Sequence, residues 1–199
     1  MALLMRQKKL NKIAVFDCDD VLANLRDPLQ DLVSEHLKTP VYWKDWNQYE
    51  IGKVYGFDFS HICEMIVKRN TLFNLQPEPY ARALIRSYKQ EGCRTVVLTA
   101  RGYHPHGKQI TTTWLNMHGL EIDDVICIGL KEHKRDYLDS MTQVEVYVED
   151  NHHHAEQAHD LPNVKRIFLL DRPWNQNETR VTRVPGLKDI FDLKTNKTI

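Results

Sequence analysis

Three apolar runs in this sequence stop at groups that can do chemistry. Ile13-Ala14-Val15-Phe16 runs into Asp17, Asp19 and Asp20; Arg94 to Leu98 ends at Thr99; Val144 to Val148 ends at Glu149 and Asp150. Two carboxylates as close as Asp17 and Asp19 repel one another, and the simplest offset is a divalent cation with oxygen ligands. Thr99 brings a hydroxyl and the backbone amides after it, which suit phosphate oxygens. Lys134, between the last two runs, brings an ammonium for the same anion. Such a set fits phosphoryl transfer, where positioning and charge neutralisation do most of the work. Each piece also has a plainer reading. Asp is common in turns, and Glu149-Asp150-Asn151 would equally suit the start of a helix.

These groups must be brought together by the elements that carry them. The run Ile13–Phe16 predicts a strand buried on both faces. From about Pro79 onward the sequence alternates. A helix carries Leu84, Ile85 and Tyr88 and closes at Gly92; the strand Arg94–Thr99 follows; then come a helix through Ile110, Trp114 and Met117, a strand Val125–Ile128 and a helix through Lys134, Tyr137 and Leu138. Val144–Val148, a short helix through Ala155 and Ala158, and Val164–Leu170 continue the pattern, with Arg183 to Leu193 as a last extended piece and helix. Alternation of this kind predicts an α/β fold, a three-layer doubly wound parallel sheet. In such sheets the strand ends lie along one edge, so the three acidic and hydroxyl clusters converge there.

The stretch between the first two strands breaks the pattern. Asp27-Pro28 predicts a helix start with Asp27 as N-cap, Leu29, Leu32, Val33 and Leu37 share one face, and Pro40 stops the helix. Val41 to Gly56 is rich in aromatic residues and has no clean period, and a second amphipathic helix carries Phe59, Ile62, Cys63 and Ile66. The expected division is therefore a core of residues 1–23 and 77–199, with residues 24–76 as a small helical cap inserted after the first strand.

Composition narrows the partners. The 199 residues are 42% hydrophobic and 27% charged, and Lys plus Arg equals Asp plus Glu at 27 each, so nothing demands nucleic acid or an anionic membrane. The four cysteines form no CxxC pair, and Cys93 and Cys127, next to or inside apolar runs, suit buried free thiols of a reducing compartment. Met1 to Met5 is too short for the apolar segment of a signal peptide, and its basic residues Arg6, Lys8 and Lys9 follow rather than precede it. The expectation is a soluble cytoplasmic protein without a membrane span, acting on a small molecule, with a second copy of the chain as a candidate partner.

Taken in order, Asp17-x-Asp19-x-Val21, Thr99, Lys134 and Glu149-Asp150 resemble the four motifs of the haloacid dehalogenase (HAD) superfamily of phosphohydrolases. The insert, the return Leu72–Pro79, and Asp171-Arg-Pro-Trp-Asn175 with Arg183-Val184 resemble that superfamily's 5′(3′)-deoxyribonucleotidase branch. Asp20 stands where many members have Gly. The resemblance implies Mg²⁺ as cofactor, held by Asp17, Asp150, the Asp19 backbone carbonyl and Glu149 beside them. It implies Asp17 as nucleophile and Asp19 as proton carrier with a free side chain. Thr99 and the Ala100 amide would hold phosphate, with Arg101 next to them at the substrate, and Lys134 is preferred over Lys131 as the phosphate lysine. Trp43, Trp46, Tyr49 and Phe73 of the insert are candidates for stacking on a base, and His152-His153-His154 reads as a solvated helix start. The implied substrate is a nucleoside monophosphate, deoxyribonucleotides preferred. A polynucleotide 3′-phosphatase, a sugar-phosphate phosphatase and a phospho-accepting receiver module are the alternatives. The receiver is disfavoured because its phosphorylated Asp ends the third strand, not the first.

Overall fold

A computed structural model describes residues 12–178 and 180–195, so Met1–Met5, Arg6, Lys8 and Lys9 lie outside the described residues. Strand β1 (Ile13–Phe16) is followed by the short β2 (Ala23–Asn24) and helix α1 (Arg26–Leu37). A 3₁₀ turn (Trp43–Asp45), α2 (Ile51–Tyr55), α3 (Ser60–Lys68), a second 3₁₀ turn (Thr71–Phe73) and β3 (Gln76–Pro77) follow, across the stretch expected as an insert. The alternating part runs α4 (Ala81–Gln90), β4 (Arg94–Thr99), α5 (Gly107–Met117), β5 (Asp124–Cys127), α6 (Lys134–Asp139), β6 (Val144–Glu149), α7 (His152–His159) and β7 (Ile167–Leu170). Strand β8 (Thr182–Val184) and α8 (Leu187–Thr195) close the chain.

The main sheet has six strands in the order β5-β4-β1-β6-β7-β8, all paired in parallel. This is the three-layer arrangement the alternation predicts. Side chains of β1 alternate between two cores: Ala14 and Phe16 join Leu84, Ile85, Tyr88 and Trp114 on one face, while Ile13 and Val15 join Leu138, Ala155 and Ala158 on the other. A strand with helices over both faces has no solvated side, which is why it reads as an unbroken apolar run. The order reverses at β1, between β4 and β6, and this switch point is where doubly wound sheets bind ligands.

Several boundaries differ from expectation for local reasons. Helix α1 starts at Arg26, not after Asp27, because Asp20 Oδ1 accepts from the backbone of Leu25 (3.1 Å) and Arg26 (2.8 Å), and Asn24 Oδ1 accepts from Asp27 N (3.2 Å). Helix α4 starts at Ala81 rather than Pro79, since Tyr80 is left-handed (φ 66°). Regular pairing of β7 covers only Ile167–Leu170, with Val164 making an isolated bridge to Val144. The linkers into and out of the insert pair with each other as antiparallel β2 and β3. Asp20 itself is left-handed (φ 57°), a conformation that glycine adopts freely and Asp tolerates.

Candidate active site

The register of the sheet does the first part of the work. Phe16 is level with Val97 on β4 and Val148 on β6, so Asp17 leaves β1 next to Glu149, and its amide still bonds the Val148 carbonyl at 2.9 Å. Lys134 opens α6 and is 2% exposed. Its Nζ lies 2.8 Å from Asp17 Oδ1 and 2.8 Å from Glu149 Oε2. Asp17 Oδ1 also accepts the Cys18 amide at 2.7 Å. Lys131 is exposed. The lysine at the strand edge is therefore Lys134.

Oxygens of Asp17, Glu149 and Asp150 all lie within 4.8 Å of one another, and all three side chains are buried. Against three carboxylates stands one ammonium. Burial pushes Asp17 above the ordinary carboxylate range, and the charge of Glu149 pushes the same way against Lys134. Asp150 is raised likewise, by burial and then by Glu149 and Asp17. Burial also opposes charge on Glu149, but Lys134 outweighs it and holds Glu149 at about 2. For Lys134 burial works against the charge, and Asp17 with Glu149 raises its pKa nonetheless. The donor set thus carries an excess of buried negative charge and all-oxygen ligands, which fits a hard divalent cation.

Glu149 is not free to lead that set. Its Oε1 accepts from the amides of Asp150 and Asn151 (3.1 Å each), and its Oε2 takes Lys134 and the Tyr147 hydroxyl. It anchors the lysine. Asp150 Oδ2 accepts from the Trp174 indole at 2.9 Å. Thr99 is 1% exposed, and its Oγ1 is buried with no hydrogen-bond partner among the described residues. At the cavity base, this free hydroxyl fits an oxygen of a bound phosphate.

Arg101 and Asp19 depart from the sequence reading. Arg101 is fully buried and grips Asp19 with two bonds, Nε to Oδ2 at 2.9 Å and a terminal nitrogen to Oδ1 at 2.5 Å, while its other terminal nitrogen donates to Thr111 at 3.1 Å. So Arg101 faces inward, and the Asp19 side chain is not free. An isolated buried guanidinium would be costly, and Asp19 is the carboxylate in reach. The following Gly102 lets this loop pass against the chain just after β5: a Cβ there would lie 2.6 Å from the Ile128 carbonyl oxygen.

A cavity of about 680 Å³ opens over these groups, lined at its base by Asp17, Asp19, Asp20, Thr99, Ala100, Lys134 and Asp150. Its walls come largely from the insert: Trp46, Tyr49, Ile51, Phe57, Phe59 and Ile66, with Tyr103, Leu130, His154 and Trp174 from the core. Of the aromatic residues expected there, Trp46 and Tyr49 line the cavity. Trp43 and Phe73 are not among the lining residues. Trp43 donates to Asp27 Oδ1 (2.8 Å) and packs on Trp174, and Phe73 is 38% exposed. Phe57, Phe59, Tyr103 and Trp174 escaped the sequence reading as wall residues. The alternation Phe57-Asp58-Phe59 before α3 was the available signal. The histidine run is likewise not wholly solvated, since half-buried His154 reaches the cavity wall while His153 is exposed.

Residues 11–198 match the family described as 5′ nucleotidase, deoxy (pyrimidine), cytosolic type C protein. No curated protein matches the chain significantly. Among solved structures, a predicted phosphatase of Clostridium acetobutylicum superposes with a TM-score of 0.65 at 15% identity, covering 94% of this chain and 99% of that one. A predicted phosphoglycolate phosphatase of Haemophilus somnus 129pt gives 0.63 at 16% identity, over 93% and 98%. A HAD-superfamily hydrolase of Ehrlichia chaffeensis gives 0.52 at 9%, over 94% and 96%. At these identities the likeness speaks for the fold. With the family match over nearly the whole length, the chain belongs to the cytosolic type C 5′ deoxynucleotidase family, phosphoric monoester hydrolases of the HAD superfamily.

Proposed function

We propose that this protein is a Mg²⁺-dependent phosphomonoesterase of nucleoside monophosphates, deoxyribonucleotides preferred, working in the cytoplasm through an aspartyl-phosphate on Asp17. The observation that carries the reading is one cavity with two unlike ends: a base of buried carboxylates, an ammonium and an unclaimed hydroxyl, and walls of Trp46, Tyr49, Phe57, Phe59 and Tyr103. A phosphate meets the first and a flat base the second. Apolar walls of this kind favour a nucleotide over a sugar phosphate.

Asp17 and Asp150 would hold the cation, with the Asp19 carbonyl as the family resemblance implies. Bound there, Mg²⁺ supplies positive charge to the phosphate oxygens and keeps Asp17 ionised. Thr99 Oγ1 and the Ala100 amide hold phosphate oxygens, and Lys134 balances Asp17 and the incoming anion. Asp17 Oδ1 is tied to Cys18 N and Lys134, so Oδ2 attacks phosphorus and the bond to the nucleoside oxygen breaks. Asp19 gives its proton to that leaving alkoxide, then takes one from the water that attacks phosphorus and frees Asp17 and inorganic phosphate. Arg101 holds both Asp19 oxygens, so this role requires one of those bonds to open. Phosphate release measured across ribo- and deoxyribonucleoside monophosphates and sugar phosphates tests the reading. Deoxyribonucleotides should lead, and a sugar phosphate turned over faster than every nucleotide would overturn it.

A further inference from the structure

Trp174 sits where the insert, the core and the acidic cluster meet. It is 5% exposed, in a 3₁₀ turn (Pro173–Asn175) after β7. Its indole N–H is given to Asp150 Oδ2 at 2.9 Å, and the neighbouring Asn175 holds the Asp150 carbonyl at 2.7 Å. Its ring is met by two tryptophans of the insert: Trp43 edge-on, with centroids 6.5 Å apart, and Trp46 tilted, at 6.3 Å. Trp43 is held in turn by Asp27 and by the Arg26 guanidinium, 5.3 Å from its ring centroid. Arg26 bonds Asp20 and Glu78, one on each linker of the insert. A continuous path of contacts therefore joins both linkers to one carboxylate oxygen.

We propose that Trp174 is a positioning residue that ties the seating of the insert to the orientation of Asp150 toward the cation. This rests on the reading of Asp17 and Asp150 as the cation site. The indole engages Oδ2 and fixes the side-chain rotamer, which leaves the other oxygen for the cation. Without that bond a buried carboxylate crowded by Asp17 and Glu149 turns away from them, because like charges separate when they can. Partners that orient metal ligands in this way are typically worth about 10–100-fold in metal affinity. Coupling is reciprocal: loosening the insert weakens cation binding, and the cation steadies the insert. The insert would then be more than a lid on the substrate, since its seating also sets a ligand of the cation.

The test is Mg²⁺ binding to the substrate-free protein by titration calorimetry, together with melting temperature in EDTA. Trp174→Phe keeps an aromatic ring for Trp43 and Trp46 but has no N–H. It should bind Mg²⁺ about tenfold more weakly with a melting temperature in EDTA close to the parent. Trp43→Phe, which leaves every carboxylate in place but alters the packing on Trp174, should weaken Mg²⁺ severalfold, and it serves also if Trp174→Phe does not fold. Lys131→Ala, exposed and remote from these contacts, should bind as the parent does. Parental affinity in both tryptophan variants would overturn the proposal while leaving the cation site standing. A parent protein that takes up no Mg²⁺ would instead overturn the cation reading and this proposal with it.

Discussion

At the base of the cavity the side chains are charged, buried and bonded to one another; on the insert side they are aromatic and held by packing. Asp17 and Glu149 at strand ends and Lys134 at a helix start are fixed by 2.8 Å contacts, whereas Phe57 and Phe59 are only half buried in a short turn between helices. The difference follows from what each end must do. Charge stabilisation depends steeply on distance and needs groups fixed in advance. Stacking on a base tolerates small displacements because every base offers a flat face. On the proposed reading, the rigid end would serve phosphate in any monoester, while the softer end would select among leaving groups.

The most severe way to break this division is at the nucleophile. Asp17→Asn should lower turnover by on the order of 10⁴-fold or more, for nucleotides and p-nitrophenyl phosphate alike. Because Asp17 is held above its ordinary pKa, the neutral amide should also leave the metal-free melting temperature equal or higher. Residual turnover near the parent's, measured on both substrates, would contradict it. Lys134→Ala comes next, costing about 3 kcal/mol of transition-state stabilisation, roughly a hundredfold in kcat/KM, again on both substrates. Lys131→Ala should change neither, and the opposite ranking in steady-state assays would move the phosphate role.

A smaller and one-sided effect is expected on the aromatic side. Phe57→Ala or Phe59→Ala should raise KM for nucleotides about tenfold, the loss of one stacking contact, and leave p-nitrophenyl phosphate nearly untouched. Phe73→Ala, outside the cavity, should do neither. Equal losses on both substrates would mean that the insert supports the base of the cavity rather than reading the substrate.

The smallest effect is on stability. Asp17 and Asp150 have raised pKa values in the folded protein, so above the ordinary carboxylate value of about 4 the unfolded chain releases these protons first. Stability in EDTA should therefore fall as pH rises from about 4 toward 7, by a few degrees in melting temperature. Asp20, raised by burial to about 6 against the pull of Arg26, adds to the decline. Glu149, held at about 2, opposes it only until the unfolded glutamate, of ordinary value 4.5, has lost its proton, by roughly pH 5.5. Mg²⁺ should flatten the curve. A melting temperature that climbs with pH in EDTA would contradict the charge excess at the site.

The two ends also differ in how far the sequence discloses them. Asp17, Thr99, Lys134 and Asp150 follow short apolar runs whose period is local, and parallel pairing then places every strand end on one edge. Their convergence could be read directly. Arg101 follows Thr99 in sequence, yet its guanidinium turns inward because Asp19 and Thr111 are nearer partners than solvent. Nothing in the local spacing reveals that. In the insert, Trp43 and Trp46 look equivalent on paper. Packing on Trp174 and the bond to Asp27 take Trp43 out of the wall, while Trp46 stays in it. Long-range partners decided these positions, and no period in Val41 to Gly56 encodes them.

The most direct measurement of the central claim is to trap the covalent intermediate. The parent protein, mixed with Mg²⁺ and a deoxyribonucleoside monophosphate labelled in its phosphate, is quenched in acid within a few turnovers and digested. The account predicts label on the peptide that carries Asp17, absent when EDTA replaces Mg²⁺ and absent from Asp17→Asn. Steady phosphate release with no label on that peptide, or with label on another residue, would contradict it.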